Sequence, residues 1–165
     1  MTKKVANRTA QYPLVAEFSM NWNDWAIDSV STVKKTLCST TATSTDPTEP
    51  GLTAGTNLVF DAIPMPLGAV IIGGTVQVET AFNGTGTNTM SVGVSGADTA
   101  FVTTANMEAA GITAFTLTGI LPMRCNAGEN IRLTFANGGA DATAGKVRVR
   151  VQYTIDGRAN ENALT

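Results

Sequence analysis

With 165 residues, 43% of them hydrophobic, the chain is long enough to bury a real core as one domain with an appended arm, and too short for two full domains. A charged fraction of 15%, 16 glycines and recurrent threonine, alanine and valine favour strands and turns over helices. A net charge of −2 excludes the broad basic footprint by which proteins grip nucleic acid, the absence of histidine removes the usual general base and the commonest metal ligand, and no stretch approaches the roughly 20 apolar residues of a membrane span.

The start, MTKKVANRTAQYP, carries lysines with no apolar run behind them, so no signal peptide is expected and the protein is read as soluble and made in the cytosol. Residues 1–12 are polar and lack a period, which predicts a flexible or partner-ordered arm. Pro13 to Met20 sets Leu14, Ala16, Phe18 and Met20 against Val15, Glu17 and Ser19, a first strand. Trp22 and Trp25 follow among polar neighbours, and two readings stay open for them: core anchors at a sheet edge, or contacts for a partner. Cys38 to Thr56, rich in threonine and serine with two prolines and two glycines, is a long surface loop or linker. Asn57 to Ile63 is a short strand that Pro64-Met65-Pro66 stops.

Ala69 to Phe82 alternates across Val70, Ile72, Val76, Val78 and Phe82, and Gly73-Gly74 in its middle predicts a bulge or corner carrying the strand from one sheet to the other. The turn Asn83 to Asn88 predicts that Thr89 to Val94 returns as its hairpin partner. Ser95 to Gly111 reads as mostly irregular, with an extended piece at Thr99 to Thr103 and a single helical turn at Ala105 to Ala110. Ile112 to Ile120 is a strand ended by Leu121-Pro122, and Asn126 to Glu129 is a turn. Asn130 to Ala136 places Ile131, Leu133 and Phe135 on one face, and the loop Asn137 to Gly145 leads to Lys146 to Ile155.

That last run, KVRVRVQYTI, commits most plainly of all: Val147, Val149, Val151, Tyr153 and Ile155 share one side and Lys146, Arg148, Arg150, Gln152 and Thr154 the other. A slip of one residue would bury three cations, so its register is firmly set. About seven or eight short strands with turn signals between them predict an all-β fold, a two-sheet antiparallel β-sandwich or jelly roll over residues 13–156, with a tail at 157–165.

The search for chemistry returns little. The acidic residues are scattered, so no carboxylate pair stands out for acid and base work, and no catalytic residue or cofactor is assigned. FNGTGTNTMSVG and NGGADATAG lack the lysine and spacing of a phosphate loop and read as turns. Asp98, Asp141 and Asp156 lack the spaced ligands of a calcium loop, so no metal is assigned. Tyr153 and Phe135 lie on apolar strand faces and read as core rather than as a platform for sugars or bases. Cys38 and Cys125 sit in dissimilar contexts and are expected to be free buried thiols.

The segment LVFDAIPMPLGAVIIGGTVQVETAFNGTGTNTMSVGV, the later AGKVRVRVQYTI and the closing DGRANEN resemble the capsid decoration, or cement, proteins of tailed bacteriophages, small jelly-roll virion proteins. The resemblance runs from Asn57 to Asn162 and leaves everything before it uncovered. It implies a structural protein on the exterior of a phage capsid, with the major capsid protein and copies of itself, as a homodimer or homotrimer, for partners. Trp22 and Trp25 are then candidates for reaching a neighbour, and Arg158 and Asn160 join them from the closing stretch. The alternative is a phage fibre or receptor-binding sandwich that recognises host surface glycans, which exposed aromatic residues in the loops would favour.

Overall fold

The computed structural model describes residues 12–37, 57–116, 123–125, 128–139 and 142–155. In chain order the strands are β1 (Leu14–Asn21), β2 (Trp25–Ile27), β3 (Lys34–Thr36), β4 (Asn57–Pro64), β5 (Ala69–Thr80), β6 (Thr89–Val94), β7 (Ala97–Asn106), β8 (Gly111–Ala114), β9 (Met123–Arg124), β10 (Asn130–Ala136) and β11 (Lys146–Ile155), and none of the described residues is helical.

The alternation of β11 is realised in full where it matters: Val147, Val149 and Val151 are completely buried, while Arg148 and Arg150 reach the outer face. Burial of each such valine contributes roughly 1.5–3 kcal/mol. Tyr153 and Ile155, towards the strand's end, are only half-buried. β11 lies between β1, from Leu14↔Tyr153 to Asn21↔Lys146, and β5, so it is an inner strand of its sheet.

That sheet runs β1-β11-β5-β8, with β9 continuing along the same side of β5 beyond β8; the second runs β4-β10-β6-β7, and every pairing is antiparallel. Leaving aside β9 and the small ribbon β2-β3, eight strands occupy the orders first-eighth-third-sixth and second-seventh-fourth-fifth. This is the double Greek key of a jelly-roll sandwich. Its core is one cluster in which the β11 valines join Ile131, Leu133 and Phe135 of β10, all fully buried, and Phe82 packs on Phe135 with ring centroids 5.5 Å apart.

Four expectations are corrected. β5 buries Ala69 and Ile71 at one end and Val76 and Val78 at the other, so Val70 and Ile72 do not face the core. The cause is a register shift: Gln152 pairs with Gly73 but Tyr153 with Ile71, and the extra residue inverts the strand's phase. The bulge falls at the glycine pair, yet it does not carry the chain to the other sheet, because all of β5 pairs with β11. A side chain at Gly74 would run into the Phe115 ring and the Arg150 carbonyl, so glycine is required there for Phe115 to close over the strand.

The crossing comes after β5 instead. Phe82 donates its N–H to the Met107 carbonyl and Met107 donates to that of Asn88 (2.9 and 3.0 Å), and β6 then pairs with β10 and β7 in the second sheet rather than returning along β5. Turn chemistry between two alternating runs signals a reversal, and it does not say whether the chain reverses within a sheet or between two. The supposed irregular region is β7, extended through Asn106 with no helical turn at Ala105 to Ala110. Bulges along β6 and β7 bury the consecutive Phe101 and Val102, and this breaks the period that would have announced a strand.

Because β11 faces are so unequal, Val149→Asp should lower unfolding stability by roughly 3–5 kcal/mol by burying a carboxylate among apolar neighbours. Arg148→Thr, on the outer face, should shift the denaturant midpoint far less, and its effect should shrink further as salt is added. Equal shifts for the two variants would contradict the facing described.

Candidate interaction surface

Immediately after β1 the chain makes a tight turn and enters the ribbon. Asn21 donates its N–H to Asp24 Oδ2 at 2.7 Å, Trp22 donates to the Gly145 carbonyl at 2.9 Å, and Leu37 donates to the Asp24 carbonyl at 3.0 Å, which closes the ribbon's base. The two strands pair Trp25↔Thr36, Ala26↔Lys35 and Ile27↔Lys34. At the tip Thr32 takes a left-handed φ of 59° and its N–H reaches the Asp28 carbonyl.

Asp28 is the fixed point of this element. Its carboxylate, 2% exposed, accepts from Lys35 Nζ (2.6 Å), the Ser31 hydroxyl (2.6 Å) and the Val59 N–H (3.2 Å). Ser29 N–H in turn donates to the Val59 carbonyl at 2.6 Å. Val59 lies on β4, the outermost strand of its sheet, so the ribbon covers backbone groups that an edge strand would otherwise expose. Burial alone would push the Asp28 carboxyl up; Lys35, Ser31 and the Val59 and Val30 amides outweigh it and hold the group well below the usual carboxylate range.

The two tryptophans part company on this ribbon. Trp22 is half-buried against the core. Trp25 is 41% exposed with the Lys34 ammonium 4.5 Å from its ring centre. Ile27 on the same strand face and Val30 and Val33 in the turn are also exposed, so one small element presents four large apolar side chains to solvent. Sequence reading singled out only Trp25; the others were hidden among polar neighbours, and only the WAI alternation hinted at them. Arg158 and Asn160 lie outside the described residues.

The outer face of the β1-β11-β5 sheet is organised differently. Glu17 bridges Arg150 (2.7 Å) and Arg148 (2.8 Å), and Glu79 bridges Arg148 and Lys146 (2.8 Å). The bond from Arg150 chiefly lowers the Glu17 carboxyl, and Lys146 followed by Arg148 lowers that of Glu79. These charges satisfy one another across three strands. Beside them lies a shallow groove of about 570 Å³ with Val15, Thr75, Gln77, Ile112, Arg150 and Gln152 along it, and no aromatic ring.

Groups with chemical potential are otherwise occupied. Asp98 lies 3.7 Å from Arg132, Asp141 and Asp156 fall outside the described residues, and no three possible metal ligands gather among the described residues. Cys125 is a free, buried thiol pushed up by burial and then by Glu129, which keeps it protonated; Cys38 lies outside the described residues. Phe135 is sealed in the core and Tyr153 half-buried against it.

In fold the chain is similar to a chain of the cyanophage Pam1 capsid asymmetric unit, with 21% identity, a TM-score of 0.58 and coverage of 93% of this chain and 94% of that one. It is also similar to a chain of the acidic stable capsid of Helicobacter pylori bacteriophage KHP30, at 15% identity over 87% of each chain with a TM-score of 0.52. A third likeness is to a chain of the capsid of Ralstonia phage GP4, at 13% identity over 96% of this chain and 92% of that one, again with a TM-score of 0.52. At these identities the likeness is one of fold. No protein-family model and no curated protein matches the chain.

Asp28→Asn should cost about 2 kcal/mol near neutral pH, since charge-assisted bonds are lost from a buried group. The folded-state carboxyl titrates below its unfolded value, so its contribution is complete above about pH 4 and is lost as the pH falls further. Urea midpoints of the two proteins should therefore converge as the buffer is taken from pH 7 to pH 3. A constant gap across that range would contradict the assignment.

Proposed function

We propose that this chain is a structural virion protein that binds the outer surface of a phage capsid and stabilises it, a decoration or cement protein with no chemical step. The observation that carries the reading is the end-to-end likeness of its fold to chains from three phage capsids, over 87 to 96% of its length. The ribbon is consistent with such a role: an exposed apolar group of side chains on a firmly anchored element suits contact with a protein surface. In this reading the partners are the major capsid protein and other copies of the chain, as a homodimer or homotrimer, and the location is the capsid exterior.

The mechanism is thermodynamic. A shell under pressure from packaged DNA fails where neighbouring capsomers part, and a protein spanning such a junction adds binding free energy that must be lost before the junction opens. Many modest contacts then act together through avidity. A glycan-recognising fibre module would need rings to stack against sugars, and the groove on the outer sheet face offers Val15 and Ile112 instead.

Heads lacking the protein should release DNA at lower temperature than decorated heads, and purified protein added back should restore them; identical release curves would sink the reading. Ile27→Asp or Val30→Asp should weaken binding to bare heads by about tenfold or more while leaving the unfolding temperature of the free protein in place. Undiminished binding by both would remove the ribbon from the contact.

A further inference from the structure

β1 is the outermost strand of its sheet, and the hydrogen-bond parity of its pairing fixes which backbone groups it leaves open. Trp22 N–H donates to the Gly145 carbonyl in line with the β1-β11 register, so the even-numbered residues Leu14 to Met20 direct their N–H and C=O groups at β11. Val15, Glu17 and Ser19 therefore point theirs the other way, and no described residue pairs with them. Asn21, next in the series, is satisfied by Asp24. Donors and acceptors repeating at every second residue along a line match one kind of partner, another extended backbone.

The space beside this edge limits what that partner is. A groove of about 230 Å³ runs along it, bounded by Phe18, Ser19, Met20, Asn23, Asp24 and Trp25. The ribbon forms its far wall, and through Asp28 and Ser29 it stands fast against β4, in the layer beneath β1. The edge of a second sandwich would bring its own lower layer into the space the ribbon fills. A lone extended segment brings none.

We infer that the open edge of β1 is the docking slot for the N-terminal segment, residues 1–11, of a second copy of this chain, added as one more strand. No turn or bend occurs at Tyr12-Pro13. Proline there fixes its own φ and biases Tyr12 to extended geometry, so Tyr12 and Pro13 continue the line of β1 rather than folding the segment back towards its own groove. Its eleven residues reach roughly 36 Å when extended, against about 14 Å from Val15 to Ser19. It carries Lys3, Lys4 and Arg8 and no acid, towards a groove rimmed by Asp24. Val5, its one β-branched aliphatic residue, suits the apolar part made by Phe18, Met20 and Trp25.

The test uses the full chain alone, without heads, so it stands or falls separately from capsid binding. The chain should sediment as an oligomer with slow amide exchange at Val15, Glu17 and Ser19, and an excess of the peptide MTKKVANRTAQ should convert it to monomer. Ser19→Pro removes an outward N–H without touching the β1-β11 ladder. It should lose the oligomer while still unfolding in one cooperative transition, whereas Ser19→Ala keeps the oligomer. Should the proline variant fail to fold, the peptide competition decides alone. Fast exchange at those three amides, or an oligomer that survives excess peptide, would overturn the inference. Protection in a species that sediments as a monomer would do the same, because the slot would then be filled from within its own chain.

Discussion

The whole arrangement depends on one strand being unable to slip. β11 lies between β1 and β5, and its inner face is valine at three successive positions while its outer face is Lys146, Arg148 and Arg150. A shift by one residue would exchange those sets, at a cost several times that of losing any single contact. With β11 fixed, β1 and β5 inherit their registers. Glu17 and Glu79 then arrive on either side of the cations, and the outer face closes into a network of ion pairs as a consequence of register rather than as its cause. Solvent-exposed pairs of this kind add little by themselves.

Asp28 solves a separate problem, how a hairpin of two three-residue strands without a core of its own holds a definite position. A two-stranded ribbon is marginal in water. Here a buried carboxylate gathers the ribbon's own lysine and serine and an amide of the neighbouring sheet, so the ribbon is tied down by polar bonds and its apolar side chains are left free of structural duty. That division of labour gives the exposed Trp25, Ile27, Val30 and Val33 their interest: they are not needed to keep the ribbon in place. The same anchoring closes the edge of β4 and leaves that of β1 open.

How much of this was legible in the sequence varied with the kind of signal. β10 and β11 were read with their boundaries and faces, because an unbroken period of two has no competing explanation. The all-β sandwich followed from turn spacing. The inverted phase of β5 was not legible: Gly73-Gly74 announces an irregularity but not its parity, and one extra residue reverses every side chain beyond it. Strand partners were less legible still, since in a jelly roll neighbours in sequence are mostly assigned to opposite sheets. Trp22 and Trp25 both stood out in the sequence, yet Asn21, Asn23 and Asp24 beside them gave no means of telling the half-buried ring from the exposed one. Asp28 looked like any aspartate near a turn; its importance arises from Val59, thirty-one residues away.

The strand order also governs when the protein comes into being. β10 and β11, each an inner strand of its sheet, are the last of the described strands, and β4 and β1 have them as their strand partners. As synthesis proceeds, the earliest strands of both sheets must wait, with their apolar faces uncovered, until nearly the whole chain has emerged. Leu14 finds its place only when Tyr153 exists. Contacts of such long separation make for slow folding, in the range of milliseconds to seconds for all-β domains, and the sheet that holds β1 and β5 cannot close until β11 is made. Any fragment ending short of β11 therefore leaves β1 and β5 without the strand that joins them.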